Sequence, residues 1–159
     1  MRGGRMHSWF GDRLLERSLW TPTRGSLARA WMVGFPITVV PFLPGQSVLA
    51  AAAAMLVRGN LLLCIGLQFL SNPLTAPVQL SACYLAGELA RGRTPSGVWR
   101  HVATTPLDLL TGDAVISLYL GACVVGILGG AAGYAVILGT WRDSHPHKKK
   151  LPKIHPPQP

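Results

Sequence analysis

The chain has 159 residues, enough for one domain, and only 13% of them are charged, against about 25% in typical soluble proteins. The net charge is +9, but the arginines and lysines lie at the edges of apolar blocks, as in membrane proteins. The aromatic residues are few and do not form the stacking surface of a nucleic-acid-binding protein. We therefore expect an integral membrane protein and no nucleic-acid partner.

The N-terminal segment combines arginines with aromatic residues. Residues 7–20 predict a short amphipathic helix with tryptophans beside arginines, which suits a membrane interface. A surface helix packed on the protein itself is the alternative. Residues 21–26 predict a turn, with Ser26 as the N-cap of a helix that begins at Leu27. We take residues 1–26 as a basic interfacial segment and expect no cleaved signal peptide.

The most informative stretch is residues 30–90, which contains only two formal charges, Arg58 and Glu88. Two proline-centred breaks, at residues 42–46 and 71–75, interrupt it. In a bilayer, broken backbone is tolerated only where protein or a polar cavity covers it. The two breaks therefore predict the position of a site. Arg58 and Glu88 either pair or extend to opposite membrane surfaces.

The breaks divide this stretch into four predicted helices. The first begins at Leu27 and ends near residue 41, and the second begins near Gln46 and ends at residues 58–60. Gly59 is the predicted C-cap of the second helix, and Asn60 is the predicted N-cap of the third. The third ends at the second break, where Asn72 and Pro73 are expected to open the fourth.

These helices are shorter than the roughly 20 residues that cross a bilayer. Two arrangements are open: pairs of helices stack end to end as broken spans, or each pair folds back as a re-entrant hairpin. The hairpin tips would lie at residues 44–45 and 72–73. Hairpins are favoured because Arg29, Arg58 and Arg91 would then lie on one side of the membrane.

The C-terminal part begins with an apolar stretch. Residues 109–141 are apolar except for Asp113 and are long enough for one tilted span or two short helices. Glycines four residues apart allow close helix packing, within the chain or in a dimer. These glycines are Gly126, Gly129, Gly130 and Gly133. We define residues 27–141 as the membrane domain and residues 142–159 as a disordered basic tail.

Polar residues near the breaks are the candidate ligand site. A helix N-terminus has unpaired N–H groups and a partial positive charge, so it attracts anions. Two such starts are predicted within apolar sequence, as in the broken helices of transporters. The candidate ligand-binding residues are Gln46, Ser47, Arg58, Gln68, Asn72, Thr75 and Gln79. In the alternative interpretation these side chains only cap helices or form hydrogen bonds across the bundle.

No sequence motif indicates catalysis. The chain lacks a nucleophile elbow, a phosphate-binding lysine loop, a zinc-protease motif and a pair of closely spaced cysteines. Cys64, Cys83 and Cys123 lie in apolar blocks without metal-ligand spacing. We therefore predict neither an enzyme nor a metal or cofactor site.

The motifs at the breaks carry a family resemblance. Residues 24–30, 34–46, 58–61 and 71–75 are similar in order and spacing to the small bacterial membrane proteins catalogued as domain of unknown function 2062. The most specific parts are the Pro-Gly-Gln turn, the Arg-x-Asn step and the Asn-Pro-x-Thr run. The resemblance extends over roughly residues 10–142.

The chain departs from that family pattern at residues 42–43 and 68–70, but neither departure removes a break. The resemblance implies an all-α bacterial inner-membrane protein, without a settled activity. Some relatives resemble fusions to glycosyltransferases, and a weaker analogy links the breaks to lipid carriers of the DedA type. Both suggest a role in the handling of envelope polysaccharides or carrier lipids.

Together these features predict a small polytopic helical protein with two proline-broken, re-entrant hairpins and a glycine-rich C-terminal transmembrane segment. Its N-terminus is expected in the cytoplasm. The expected function is transport or handling of an anionic lipid or lipid-linked headgroup, such as a polyprenyl phosphate, at the breaks. The alternative is a non-catalytic membrane subunit or assembly factor, or a homo-oligomer, that packs through the glycine-rich helix.

Overall fold

The computed structural model describes residues 16–93 and 112–141. Within these ranges the chain is helical, and no strand is present, so the predicted all-α class is confirmed. The helices are α1 (Arg17–Trp20), α2 (Arg24–Val39), α3 (Gln46–Val57), α4 (Leu61–Leu67), a 3-10 turn (Gln68–Leu70), α5 (Ala76–Ala90) and α6 (Gly112–Thr140). The predicted tail and most of the predicted N-terminal amphipathic segment lie outside the described residues.

The start of α2 differs from the prediction. Thr23 is the N-cap, and its hydroxyl accepts the N–H of Ser26 at 3.2 Å, while the Ser26 hydroxyl accepts the N–H of Thr23 at 2.9 Å. This reciprocal capping box makes Ser26 the third residue of the helix instead of its cap. The predicted cap of α4 is confirmed, because the Asn60 side chain accepts the N–H of Leu63 at 2.8 Å.

The turn between α3 and α4 also corrects a prediction. The left-handed residue that ends α3 is Arg58, with φ of 52°, whereas Gly59 was expected in that role. Gly59 is instead required for close packing of the turn. A Cβ atom at this position would lie 2.9 Å from the backbone nitrogen of Ala30, so only glycine allows the turn to pack directly on α2.

The start of α5 lies further along the chain than predicted. The helix begins at Ala76, with Thr75 as N-cap, and not at Pro73. The Asn72 side chain instead accepts the N–H groups of Leu74 (2.9 Å) and Thr75 (3.0 Å), which forms a separate turn before the helix.

Helix α6 is the longest element, and two shorter helices lie end to end along it. The Arg24 guanidinium, at the start of α2, donates to the carbonyl of Leu138, near the end of α6. Pro36 of α2 contacts Gly126, near the middle of α6. From there α5 continues in the same direction, and Arg91 donates to the carbonyl of Asp113 at 3.0 Å. Helix α2 thus packs on the C-terminal half of α6, and α5 packs on its N-terminal half.

Helices α3 and α4 lie beside α2. Helix α3 folds back along α2, and α4 then runs parallel to α2. The N–H of Asn60 donates to the carbonyl of Ser26 at 2.9 Å, and the Cys64 thiol lies 3.2 Å from the carbonyl of Ala50. Only the first pair of helices folds back, because α5 packs on α6 and continues away from α4.

Arg29, Arg58 and Arg91, which were expected on one side of the membrane, do not lie at one end of the molecule. Arg29 and Arg58 lie at the end where α2 begins, and Arg91 lies beside the start of α6.

The surface of the described residues is rich in large apolar side chains. Many exposed positions carry large apolar side chains, for example Leu74 (88% exposed), Phe69 (77%) and Val48 (75%). Buried positions are rich in alanine and glycine and include polar side chains. The 29-residue α6 has a mean hydropathy of 2.1 over its most apolar 18 residues and is long and apolar enough to cross a membrane. Small residues inside and apolar residues outside are typical of packing in lipid.

Glycines set the distance between α6 and its neighbours. A Cβ atom at Gly121 would overlap the carbonyl of Cys83 in α5, and one at Gly87 would overlap the carbonyl of Ser117 in α6. Further along α6, a Cβ atom at Gly126 would lie 3.0 Å from the Cα of Pro36. The helices therefore touch through backbone atoms, which side chains of any size would prevent.

We expect Gly121→Ala to destabilise the protein by about 1–3 kcal/mol, because the added methyl group meets backbone that has no room to move. Gly139→Ala is the matched control, since a Cβ at Gly139 has no neighbour within 4 Å. The control should be neutral or slightly stabilising, because alanine favours helix. Thermal unfolding in detergent measures both, and equal midpoints for the two variants would contradict the close packing.

Candidate functional site

The first break follows the end of α2, where α2, α5 and α6 meet, and the carbonyl groups at this helix end have side-chain partners. The last carbonyl groups of a helix accept no hydrogen bond from within the helix. The Gln79 amide donates to the carbonyls of Thr38 (3.0 Å) and Val39 (3.1 Å). The Tyr119 hydroxyl donates to the carbonyl of Pro41 at 3.1 Å. Side chains of α5 and α6 therefore satisfy the end of α2.

Gln68 stabilises the middle of α2 in a similar way. Its amide nitrogen donates to the carbonyls of Cys64 (2.9 Å) and Gly34 (3.3 Å), and its side chain is buried. Its amide oxygen, Oε1, is buried without a hydrogen-bond partner among the described residues. Gln68 thus ties α4 to α2 and leaves one acceptor without a donor.

Asn72 and Thr75 are occupied within the second break itself. Besides accepting two backbone N–H groups, the Asn72 side chain donates to the carbonyl of Phe69 at 3.1 Å. The Thr75 hydroxyl donates to the carbonyls of Leu70 and Asn72, and accepts the N–H of Asn72 at 3.2 Å. These bonds shape the turn and use most of the capacity of both side chains.

Gln46 and Ser47 form the first turn of α3, directly after the left-handed Gly45 (φ 71°). The first intrahelical bonds are those of Val48 and Leu49 to the carbonyl of Gly45, at 2.9 and 3.1 Å. The N–H groups of Gln46 and Ser47 precede them. Ser47 is exposed and Gln46 is half-buried, so this helix start is accessible from outside.

Arg58 lies far from this helix start. It ends α3, and a helix of that length places it about 18 Å from Gln46. The Arg29 guanidinium donates to the carbonyl of Arg58 at 2.8 Å. The seven candidate residues therefore do not form one site. Six lie around the two breaks, and Arg58 lies at the other end of the hairpin made by α2 and α3.

A polar cluster that the sequence analysis missed joins α5 to α6. Glu88 is 3% exposed and accepts a short hydrogen bond from the Ser117 hydroxyl. The Arg93 guanidinium donates to both carboxylate oxygens of Glu88, at 3.0 and 3.1 Å. Arg91 donates to Ser117 at 2.6 Å and lies 3.5 Å from the carboxylate of Asp113. We call these five residues the ion-pair cluster.

The ion-pair cluster is electrically balanced, with two carboxylates and two guanidinium groups. The hydrogen bond with Glu88, followed by the charge of that carboxylate, raises the pKa of Arg93. The pairing of Glu88 with Arg58 that the sequence left open does not occur. Glu88 and Arg91 are three residues apart on one helix face, which is a sequence signal for an ion pair. No sequence pattern indicated that Ser117 would join them.

The glycine-rich face of α6 is covered by α2. The Trp31 indole donates to the carbonyl of Gly129 at 3.1 Å and stacks on Phe35, with ring centroids 5.5 Å apart. Gly126 and Gly130 contact Pro36, and Gly133 contacts the Trp31 ring. Packing within the chain therefore occupies all four glycines that the sequence analysis singled out.

The described residues contain no group of three or more side chains suited to a metal ion. Cys64 and Cys83 are buried, and Cys123 is exposed. No arrangement of nucleophile and base accompanies them within residues 16–93 and 112–141.

The comparisons with known proteins identify the family. The chain matches the family described as "Uncharacterized protein conserved in bacteria (DUF2062)" over residues 7–150. This match covers most of the chain, so the protein belongs to that family, as the motifs at the breaks predicted. No curated protein and no solved structure matches the chain.

We expect Glu88→Gln to destabilise the protein by about 1–3 kcal/mol, because the buried carboxylate loses its charge-assisted hydrogen bonds with Ser117 and Arg93, while the arginine side chains keep 25% and 47% of their surface in solvent. Asp113→Asn is the control, because its side chain is 73% exposed and exposed pairs contribute about 0–1 kcal/mol. Thermal unfolding in detergent compares them. A loss for Asp113→Asn equal to that for Glu88→Gln would contradict the assignment of Glu88 as the centre of the cluster.

Proposed function

We propose that the protein is an integral protein of the bacterial inner membrane with two complete crossings. The ends of the molecule carry charges, and the surface between them is apolar. At about 1.5 Å per residue, α6 is about 37 Å long between Asp113 and Leu138, slightly more than the roughly 30 Å of hydrocarbon in a bilayer. Helix α6 supplies one crossing.

The second crossing is broken: α4 enters the membrane and α5 completes the passage after the second break. Helices α2 and α3 form a re-entrant hairpin that enters and leaves on the same side. This topology follows from the direction of each helix along α6 and satisfies the rule that irregular backbone in a bilayer is covered by protein.

The distribution of charge orients the protein. Four arginines (Arg17, Arg24, Arg29 and Arg58) lie at the end where α2 begins, whereas the ion-pair cluster at the other end is balanced. The positive-inside rule places the arginine-rich end in the cytoplasm. Helix α6 ends at that same end, next to the start of α2. The start of α2 and the end of α6 are then both cytoplasmic.

In this orientation the two breaks lie within the membrane, and we propose that they handle an anionic lipid headgroup. The observation that supports this function is the accessible first turn of α3, which presents the N–H groups of Gln46 and Ser47 inside the apolar belt. A helix start attracts anions, and its effect is larger where water is scarce. A polyprenyl phosphate or an anionic phospholipid has the required charge and apolar chain.

The remaining polar side chains then have a supporting role. Gln68 and Gln79 hold the end of α2, and Asn72 and Thr75 hold the second break. They keep the backbone irregular at this depth, so that the first turn of α3 is not absorbed into a continuous helix. The headgroup would bind transiently at this turn while it passes from one leaflet to the other. This binding lowers the free-energy barrier to moving a charged group through hydrocarbon.

The alternative, a non-catalytic subunit that binds a partner through the glycine-rich helix, is less favoured. Helix α2 already covers that face of α6, so a partner would have to displace it.

Lipid exchange between leaflets tests the proposal. The purified protein in vesicles should accelerate the exchange of fluorescent phosphatidylglycerol or of a labelled polyprenyl phosphate relative to protein-free vesicles. The double variant Gln46→Ala, Ser47→Ala keeps both N–H groups but removes the side-chain amide and hydroxyl beside them, and loss of these donors to the headgroup should lower the protein-dependent rate about tenfold, equal to about 1.4 kcal/mol in the barrier.

Val48→Ala is the control, because Val48 lies on the same turn with an apolar side chain that is 75% exposed. It should keep the rate of the wild type. Wild-type vesicles that exchange every anionic probe no faster than protein-free vesicles would refute the proposed function.

A further inference from the structure

Arg58 adopts a backbone conformation that arginine rarely adopts. With φ of 52° and ψ of 42° it lies in the left-handed region, where glycine and asparagine are favoured. Its side chain is exposed, so packing of that side chain does not explain the choice. An unfavourable backbone conformation at a charged, exposed residue points to a use for the charge.

The turn that holds Arg58 is rigid. Gly59 is pressed against the backbone of Ala30, and its N–H donates to the carbonyl of Ala54 at 2.8 Å. Asn60 is 3% exposed, and its N–H donates to Ser26 while its side chain caps α4. The position of Arg58 relative to α2 is therefore fixed by backbone contacts.

A second arginine lies on the same turn. The Arg29 guanidinium donates to the backbone carbonyl of Arg58 at 2.8 Å, which places the Arg29 side chain against the turn that carries Arg58, at the arginine-rich end. Within residues 16–93 and 112–141, no carboxylate lies within 4 Å of either guanidinium. Two cationic side chains held at one rigid turn create a positive potential there that favours an anion.

We infer that Arg29 and Arg58 bind the phosphate group of an anionic phospholipid in the cytoplasmic leaflet. Guanidinium groups form paired, charge-assisted hydrogen bonds with phosphate oxygens. Trp20 and Trp141 are exposed at this end. In the sequence, Trp20 follows the arginine-rich N-terminal segment and Trp141 precedes the basic tail. Tryptophans next to basic segments are typical of a membrane surface. The lipid chains would lie against the exposed apolar side chains of α3, among them Leu56 (70% exposed).

This site is separate from the first turn of α3, which lies about 18 Å away along the helix. It depends on the proposed membrane orientation but not on lipid transport. A protein that fails to exchange lipids between leaflets can still bind a lipid at Arg29 and Arg58, so the two proposals fail independently.

The test measures binding of phosphatidylglycerol to the purified full-length protein in zwitterionic detergent, by native mass spectrometry. Arg58→Asn removes the charge but keeps a residue that tolerates the left-handed conformation. We expect Arg58→Asn and Arg29→Gln each to weaken binding about tenfold, because each removes charge-assisted hydrogen bonds to the phosphate. Arg17→Gln, at the same end and with the same change in net charge, should weaken it about twofold or less.

Two further arms decide the identity of the ligand and guard against misfolding. Phosphatidylcholine, whose phosphate charge is offset by its own choline, should show a smaller difference between wild type and Arg58→Asn than phosphatidylglycerol does, and millimolar inorganic phosphate should not displace phosphatidylglycerol. Arg58→Gly, which suits the same backbone conformation, should reproduce the loss seen with Arg58→Asn. Wild-type affinity in both Arg58 variants, an equal loss in Arg17→Gln, or displacement by inorganic phosphate would overturn the inference.

Discussion

The architecture depends on backbone contact between α6 and two shorter helices. Gly121 lets α5 approach α6, and Gly126 does the same for α2, so both helices lie along one face of a single long helix. Each is roughly half as long as α6, and they meet near its middle. The two breaks are the consequence, because the chain must leave α2 and enter α5 at that level.

A break inside an apolar layer exposes carbonyl groups, and this protein satisfies them with long amides and one phenol. Gln79 and Tyr119 reach the end of α2, and Gln68 reaches its middle. An unpaired backbone group in hydrocarbon costs several kcal/mol, so these bonds are a condition for keeping the breaks. The first turn of α3 remains accessible, with Ser47 exposed, which is why the proposed function is assigned there.

Local features were predictable from sequence, and long-range partners were not. The positions of the breaks, the Asn60 cap and the long apolar α6 follow from proline, asparagine and hydropathy patterns within a few residues. The direction of α5 depends on its contacts with Ser117 and Gly121, which lie far away in the chain. Gln68 and Gln79 donate to backbone carbonyls. Every residue has a backbone carbonyl, so the sequence does not indicate which ones these side chains bind.

The depth of a label at Val78, at the start of α5, tests the central claim most directly. With the exposed Cys123 changed to alanine, spin labels at positions 58, 78 and 90 would be measured in bilayers. The proposed topology predicts that position 78 lies deep, accessible to oxygen and not to a water-soluble nickel complex, and that positions 58 and 90 report from opposite surfaces. A label at position 78 near the surface, or positions 58 and 90 on the same side, would contradict the account.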